Sequence, residues 1–335
     1  RDPFDMNIVT KKPKDYLKLV KDNLRSSENT TMVALPFSSY SAHMLGLSTK
    51  EVEDYSQSDG SKYDNLLKKY RTIYQKIKTT NIMEDISFTK WTQLTLAIEL
   101  DILTFGMFKE TYPDKNTFKF NCRGIENIDN RRRNETLKEE IKEAEANGDA
   151  HGEFPVEVVN DDLLLLPNDR EGIEKVKEKI NTAFEQKTLE ETIESSTATK
   201  AYREQLKDSG FIVDFKLPTL ADTLGVAKDF SDEFYEKNGF AVEMCQYIDS
   251  MFIPDGDGGY YQEDEKGSIV ELINLLKDKD TKVILNKVEE LTQNKSIEFG
   301  FENIRCPECG LQITERRLLS IDNILFTVHL QMIND

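Results

Sequence analysis

Residues 211–219 read Phe-Ile-Val-Asp-Phe-Lys-Leu-Pro-Thr, and this stretch indicates the fold. Phe211, Val213 and Phe215 lie at every second position, a spacing typical of a strand with one buried face. Leu217-Pro218 ends the strand because proline cannot donate a hydrogen bond to a neighbouring strand. Helical patterns follow, so the stretch predicts the start of an α+β unit.

A second Leu-Pro pair, Leu35-Pro36, begins a similar order of elements in the first half of the chain. The two pairs lie 182 positions apart, and the strand-like segments that reach Cys122 and Cys306 give an offset of 184. Such self-similarity indicates a repeated architecture. We therefore predict an α+β fold, mainly helical, with two diverged copies of a unit of helices plus a β-hairpin. The alternative is chance agreement between common residue types.

The repeat divides the chain into four parts. Residues 1–29 are an N-terminal extension, 30–166 the first α+β repeat, 167–207 a helical linker or arm, and 208–335 the second α+β repeat with a Cys-x-x-Cys hairpin. The first repeat carries a charged insertion at 123–152. The length of 335 residues agrees with this division, since about 150 residues per domain predicts two domains.

The sequence of the first repeat predicts one long buried helix and a hairpin. Ser87 is placed to cap the helix, and apolar residues from Trp91 to Phe108 cover most of its circumference. Phe118 and Phe120 alternate on one strand, and residues 154–159 alternate on the return strand.

The second repeat predicts five helices and a hairpin. A capping box, Ser268-Ile269-Val270-Glu271, marks one helix start. The hairpin combines strand 297–304 with a return strand through Leu311 and Ile313. The helices are expected at 220–230, 240–251, 268–276, 281–291 and 318–326.

The charge balance argues against nucleic acid as a partner. The chain has 44 Lys and Arg against 62 Asp and Glu, a net charge of −18. Nucleic-acid phosphates are bound by clustered basic residues, and only Arg131-Arg132-Arg133 forms such a cluster.

Membrane insertion and secretion are also not expected. The most apolar stretches, 94–108 and 321–333, are shorter than the roughly 20 residues that span a bilayer. The start Arg1-Asp2-Pro3-Phe4-Asp5 lacks the order of a secretion signal and an initiator Met, which suggests trimming or truncation. Four cysteines in 335 residues fit a reducing compartment.

Cys306-Pro307-Glu308-Cys309-Gly310 is the sharpest chemical motif. Two thiolates separated by two residues at a hairpin tip can face one Zn²⁺, and a structural site needs four ligands. Cys122 is the first candidate to complete it, and Cys245, His151 and His329 are more remote ones. The alternative is a vestigial knuckle without metal. Zinc is the one cofactor that the sequence suggests, and its role would be structural.

No catalytic or other cofactor-binding residues are predicted. Residues 255–266 depart from a calcium loop, because Tyr260 replaces the required glycine and Lys266 the required glutamate. The sequence has no glycine-rich phosphate loop with a lysine and no serine nucleophile elbow. His43, His151 and His329 lie in unrelated contexts.

Six segments carry a family resemblance through their order along the chain. They are Leu35-Pro36, Phe118 to Cys122, Ile212 to Thr219, Ser268 to Ile273, Cys306 to Gly310 and Leu318 to Phe326. This order resembles the baseplate hub protein family of contractile-tailed (T-even-like) bacteriophages, over most of residues 30–166 and 208–330. Two departures are Arg123-Gly124-Ile125, where a second cysteine is expected, and the added segments 123–152 and 168–207.

The resemblance implies a structural or assembly component of the tail baseplate, without enzymatic activity. Its partners would be other tail and baseplate proteins, with further copies of the chain as another expectation. It would reside in the virion tail, and in the host cytoplasm during assembly. One alternative is a zinc-ribbon protein of a transcription or nucleic-acid complex, using Arg305, Arg316 and Arg317. Another is a tail assembly chaperone that is absent from the mature virion.

Overall fold

The computed structural model describes residues 29–57, 60–112, 116–122, 152–158, 164–167, 173–293, 297–305 and 312–318. Ten α-helices and four antiparallel sheets lie within these ranges. The mixed α+β fold class is therefore confirmed. In these ranges, every helix is too short or too polar to cross a bilayer.

The first sheet contains three strands in the order β1-β2-β3. Strands β1 (Thr31–Leu35) and β2 (Tyr40–Met44) form a hairpin, and β3 (Ile77–Thr80) pairs with β2. Between β2 and β3 the chain forms α1 (Thr49–Ser56) and α2 (Lys62–Gln75). Ser48 begins α1 with a capping box to Glu51, which satisfies two backbone amides that the first helical turn leaves unpaired.

The long helix predicted after Ser87 is wrong in one respect, because the chain forms two helices there. Helix α3 (Phe88–Leu94) begins at the predicted cap Ser87. Residues 95 and 96 are extended, and a 3₁₀ turn leads into α4 (Leu100–Thr111). Every residue from Ile102 to Phe108 is buried, so the prediction of a central buried helix is confirmed for α4.

The second sheet contains four strands in the order β10-β9-β8-β7. They are β7 (Tyr202–Gln205), β8 (Ile212–Phe215), β9 (Ile248–Pro254) and β10 (Tyr260–Glu263). The helix predicted at 240–251 is wrong in its second half, which is β9. Apolar residues in that run fit both helical and strand periods, and pairing with β8 decides between them.

Four helices accompany the second sheet. They are α7 (Leu220–Asp229), α8 (Asp232–Cys245), α9 (Lys266–Leu275) and α10 (Asp278–Gln293). Thr219 begins α7 with a capping box to Asp222. The capping box predicted at Ser268 is wrong, because α9 already begins at Lys266 and Ser268 donates to Glu265 instead.

One further hairpin follows the helices of each half. Strands β4 (Asn116–Cys122) and β5 (Gly152–Val158) pair as predicted, with Phe120 opposite Phe154. Strands β11 (Ile297–Arg305) and β12 (Gln312–Leu318) form the second hairpin. Strand β6 (Leu164–Pro167) pairs with β11, so a strand from the first half completes the hairpin sheet of the second.

The predicted linker 167–207 contains α5 (Ile173–Ala183), α6 (Leu189–Ser195) and, near its end, β7 of the second sheet. The chain before α6 contacts the first sheet, because Asn81 donates to the carbonyl oxygen of Ala183 over 2.8 Å.

The four-part domain division stays a prediction. The predicted helix at 318–326 and most of the insertion 123–152 lie outside the described residues.

One hydrophobic cluster runs through both halves of the chain. Thr95 and Leu96 meet Pro218 and Leu220 there. The amide of Ala97 donates to the carbonyl oxygen of Pro218, and the amide of Leu220 to that of Thr95, each over 2.9 Å. This backbone pairing is the physical reason for the break between α3 and α4.

The two sheets have the same register at a constant offset of 171 positions. In the first sheet Thr31 pairs with Met44, and Met44 with Ile77. In the second, 171 positions on, Tyr202 pairs with Phe215 and Phe215 with Ile248. The β2–β3 and β8–β9 ladders are interrupted at matching places, between 43 and 44 and between 214 and 215.

The hairpin loops follow the same offset. Ser39 and Gly210 both have positive φ angles, 65° and 74°, and each amide donates to the leucine four residues earlier. The Leu-Pro pairs do not correspond: Leu35 ends β1, whereas Leu217 follows β8. The offset of 182 is therefore wrong for the sheets.

Candidate functional site

Four of the six candidate zinc ligands lie outside the described residues: Cys306, Cys309, His151 and His329. Cys122 ends β4 opposite Gly152. Within the described ranges, no group of three or more His, Cys, Asp or Glu side chains is arranged to hold a metal ion. The zinc site stays a prediction.

Cys245 has the environment of a core residue. It is fully buried at the end of α8, and its thiol lies 3.1 Å from the carbonyl oxygen of Val242. Burial raises the pKa of this thiol to about 11. The role of Cys245 as a remote candidate for the fourth zinc ligand stays a prediction.

A buried carboxylate fixes the first hairpin loop. Glu99 lies just before α4, and its two oxygens accept the amides of Phe37 and Ser38, each over 2.7 Å. The Ser38 hydroxyl also donates to Glu99. Burial outweighs these donors and raises the pKa of Glu99 to about 7. The segment at Thr197 contributes to this burial, since its amide donates to the Phe37 carbonyl oxygen over 2.8 Å.

Asp280 binds the second hairpin loop in the same way. Its oxygens accept the amides of Asp208 and Ser209 over 3.1 and 2.8 Å, at positions 171 residues after Phe37 and Ser38. Burial opposes ionisation of Asp280, but hydrogen bonds from Ser209 and the loop amides lower its pKa overall. Asp208 is exposed, so this loop is more accessible to water than the first.

The edge strand β10 is the first candidate binding surface. Tyr261 is 67% exposed and Tyr260 46% exposed, although tyrosine buries a large apolar ring when it finds a partner. The outer edge of β10 pairs with no strand in the described part of the chain. Acidic residues surround the strand and are exposed: Asp255, Asp257, Asp264 and Glu265.

A cleft beside β3 is the second candidate surface, and we call it the β3 cleft. It has a volume of about 610 Å³. Its lining is formed by β3, the end of α2, part of α3 and the connection between β3 and α3. The lining residues used below are Tyr74, Ile77, Ile82, Met83, Ile86 and Trp91.

Aromatic rings form the wall of the β3 cleft that faces the core. Trp91 is 1% exposed and lies 5.6 Å from Tyr74 and 6.0 Å from Phe88, measured between ring centroids. The Tyr74 hydroxyl donates to the carbonyl oxygen of Ile86 over 2.6 Å and fixes the connection that closes the cleft. The apolar wall therefore has a defined shape.

Sequence reasoning missed both surfaces and both carboxylates. Trp91 was expected in the core, and its burial confirms this, but nothing local indicates a cleft beside it. Glu99 interrupts an apolar run, and that polar residue is a usable signal for a buried acceptor. The Tyr260-Tyr261 pair after a glycine-rich turn is the corresponding signal for β10.

No protein-family model, no curated protein and no solved structure matches this chain.

Proposed function

We propose that this chain is a structural or assembly component of a bacteriophage contractile-tail baseplate that acts through protein–protein interfaces. The family resemblance suggests the assembly, and the exposed aromatic edge of β10 is the observation that supports an interface. Enzymatic activity forms no part of this proposal.

The surface of β10 favours a partner of particular chemistry. An open strand edge offers unpaired backbone groups to another strand, and tyrosine is enriched in protein interfaces. The carboxylates of Asp255, Asp257, Asp264 and Glu265 favour a basic surface on that partner. A basic strand or loop of another tail protein fits these features.

The proposal includes a duplicated architecture. The constant offset of 171 in strand register, in loop conformation and in the loop amides that a carboxylate binds supports descent of the two halves from one unit. Duplication would give one chain two related sheets with different edges, and hence two different binding surfaces.

Mass spectrometry of purified particles tests the proposal. We expect peptides of this chain in the tail fraction at a fixed ratio to other baseplate proteins. Its absence from finished particles but presence in tail-assembly intermediates would instead support the assembly chaperone. Its absence from both, together with salt-dependent retention on DNA or RNA, would overturn the proposal in favour of the nucleic-acid complex.

A further inference from the structure

The helix pairs that follow the two sheets correspond to each other at a second constant offset. Helix α3 is followed by Thr95 and helix α9 by Leu276, and both residues have extended backbone. These two positions lie 181 apart, as do the loop-binding carboxylates Glu99 and Asp280. The offset rises from 171 to 181 between β9 and α9, where the second half has the additional strand β10. The α9–α10 junction is therefore the counterpart of the α3–α4 junction.

In the first half, the other half of the chain covers this junction. Helix α7 packs against α3, and residues 218–220 pair through their backbone with residues 95–97. Leu96 and Thr219 are the bridge partners at the centre of this pairing. Leu94 is 4% exposed and Leu96 is fully buried. The α3–α4 junction is thus a surface that binds the first turn of a helix.

In the second half, the corresponding surface is apolar but much more exposed. Leu275 is 80% exposed, whereas Leu94, its counterpart, is 4% exposed. Leu272 and Leu276 share the side of Leu275 by their helical spacing, and both are half-buried. No described segment pairs with residues 276–278 in the way that 218–220 pairs with 95–97. An exposed apolar surface of this kind marks a site of protein interaction.

Each chain also carries the counterpart of the segment that covers such a surface. Helix α1 corresponds to α7 at the offset of 171, and Ser48 and Thr219 both begin their helix with a capping box. The two helix starts differ in their surroundings. Leu220 is fully buried, whereas Thr49, its counterpart, is exposed. The start of α1 is therefore accessible to another molecule.

We propose that the α9–α10 junction of one copy of this chain binds the start of α1 of a second copy, as the α3–α4 junction binds the start of α7 within each chain. Leu275 then lies against α1, and residues 276–278 pair through their backbone with residues 47–49. The two surfaces are different, so the contact is head-to-tail. Repetition of a head-to-tail contact produces a ring or a filament.

Charge favours α1 of a second copy as the occupant. Lys277 takes the place of the buried Leu96 and is exposed. Helix α1 carries Glu51, Glu53 and Asp54 against one lysine, so it is acidic. Opposite charges on the two surfaces favour this contact over one between two identical surfaces. The contact within the chain has leucines at Leu96 and Leu220 instead, which distinguishes the two contacts.

Analytical ultracentrifugation of the purified full-length chain tests the proposal. We expect assemblies of more than two copies that dissociate on dilution. Leu275→Asp should weaken this association by about tenfold or more, because the contact would bury an unpaired carboxylate. Met83→Asp is the matched control, since Met83 is also an exposed apolar side chain and lies outside both contact surfaces. It should leave the association unchanged, and circular dichroism shows that both variants fold.

Two cysteine variants test the register of the contact. Leu96 and Thr219 are directly opposite each other in an antiparallel bridge, and such positions are close enough for a disulfide. Their counterparts between copies are Lys277 and Ser48. Under mild oxidation, a mixture of Lys277→Cys and Ser48→Cys proteins should form a linked dimer that contains one of each. Mass spectrometry of the linked peptides identifies the pair, and each variant alone should give no more dimer than the wild type.

A chain that stays monomeric at every concentration would overturn the proposal, even if it binds another tail protein. Association that Leu275→Asp leaves unchanged would overturn it as well. A linked dimer of Lys277→Cys with itself would assign the surface to a symmetric contact and would also overturn it. Each measurement uses the purified chain alone and none depends on phage particles, so the failure of this proposal is distinguishable from that of the baseplate function.

Discussion

Glu99 and Asp280 perform the same task in the two halves, although their surroundings shift their pKa values in opposite directions. Each accepts two consecutive amides from the loop of its hairpin. The pKa of Glu99 is raised and that of Asp280 is lowered. Hydrogen bonds from the loop outweigh burial at Asp280, whereas burial outweighs the hydrogen bonds at Glu99.

The raised pKa of Glu99 predicts a pH dependence of stability. A carboxyl with a pKa of about 7 in the folded state and the ordinary value of 4.5 in the unfolded state holds its proton more tightly when folded. The folding stability that the protonated Glu99 carboxyl contributes is therefore fully present below pH 4.5 and is lost as the pH rises towards 7. Urea unfolding between pH 4.5 and 7.5 measures it.

The Glu99→Gln variant isolates this contribution from that of other carboxylates. The change in unfolding free energy between the wild type and Glu99→Gln should vary with pH by up to about 3 kcal/mol, because one pKa unit corresponds to about 1.36 kcal/mol. A difference that stays constant over this range would contradict the prediction.

Asp280→Asn should destabilise the protein at neutral pH. An asparagine amide has one acceptor oxygen, so one loop amide loses its partner, and the expected cost is about 1–3 kcal/mol. Asp278→Asn is the control, since Asp278 is exposed in the same helical turn. Because the pKa of Asp280 is lowered, the effect should shrink as the pH falls below about 4. Equal melting temperatures of the two variants at pH 7 would refute this assignment.

Tyr261→Ser should reduce incorporation of the chain into tail particles without unfolding it. The side chain is 67% exposed, so the fold loses little, whereas an interface would lose the contact area of the aromatic ring. Lys279→Ser, at an exposed position on α10, is the matched control. Quantitative mass spectrometry of particles measures incorporation, and equal amounts of both variants would contradict a role for this edge.

Zinc analysis tests the Cys306–Cys309 motif. We expect about one zinc per chain, lowered to less than a tenth by Cys306→Ser. Cys245→Ala should keep the metal, because that thiol is fully buried in the hydrophobic core. Wild-type protein with less than a tenth of an equivalent would show the vestigial knuckle, and Cys306→Ser would then scarcely alter stability.

Local sequence patterns predicted the strands and helix starts that neighbouring residues mark. Phe118 and Phe120 alternate with a matching run at 154–158, and the observed pairing follows from that alternation. The predicted cap Ser87 lies at a true helix start. Each of these features depends on a few neighbouring residues, which is why the sequence indicates them.

Contacts between distant segments account for what was missed. The chain breaks at Thr95 because its carbonyl oxygen accepts from Leu220, which lies in the other half. Glu99 binds amides about 60 positions away, and any residue can supply an amide, so no side-chain pattern marks the partner.

The pairing of residues 95–97 with 218–220 makes the junction of the two halves tolerant of sequence drift. Its two hydrogen bonds join backbone groups only. Every residue supplies a carbonyl oxygen, and every residue except proline supplies an amide hydrogen. Side chains at Ala97 and Leu220 can therefore change without removing these bonds, while a proline at either position would remove one. The relative orientation of the halves can thus persist while their outer surfaces diversify.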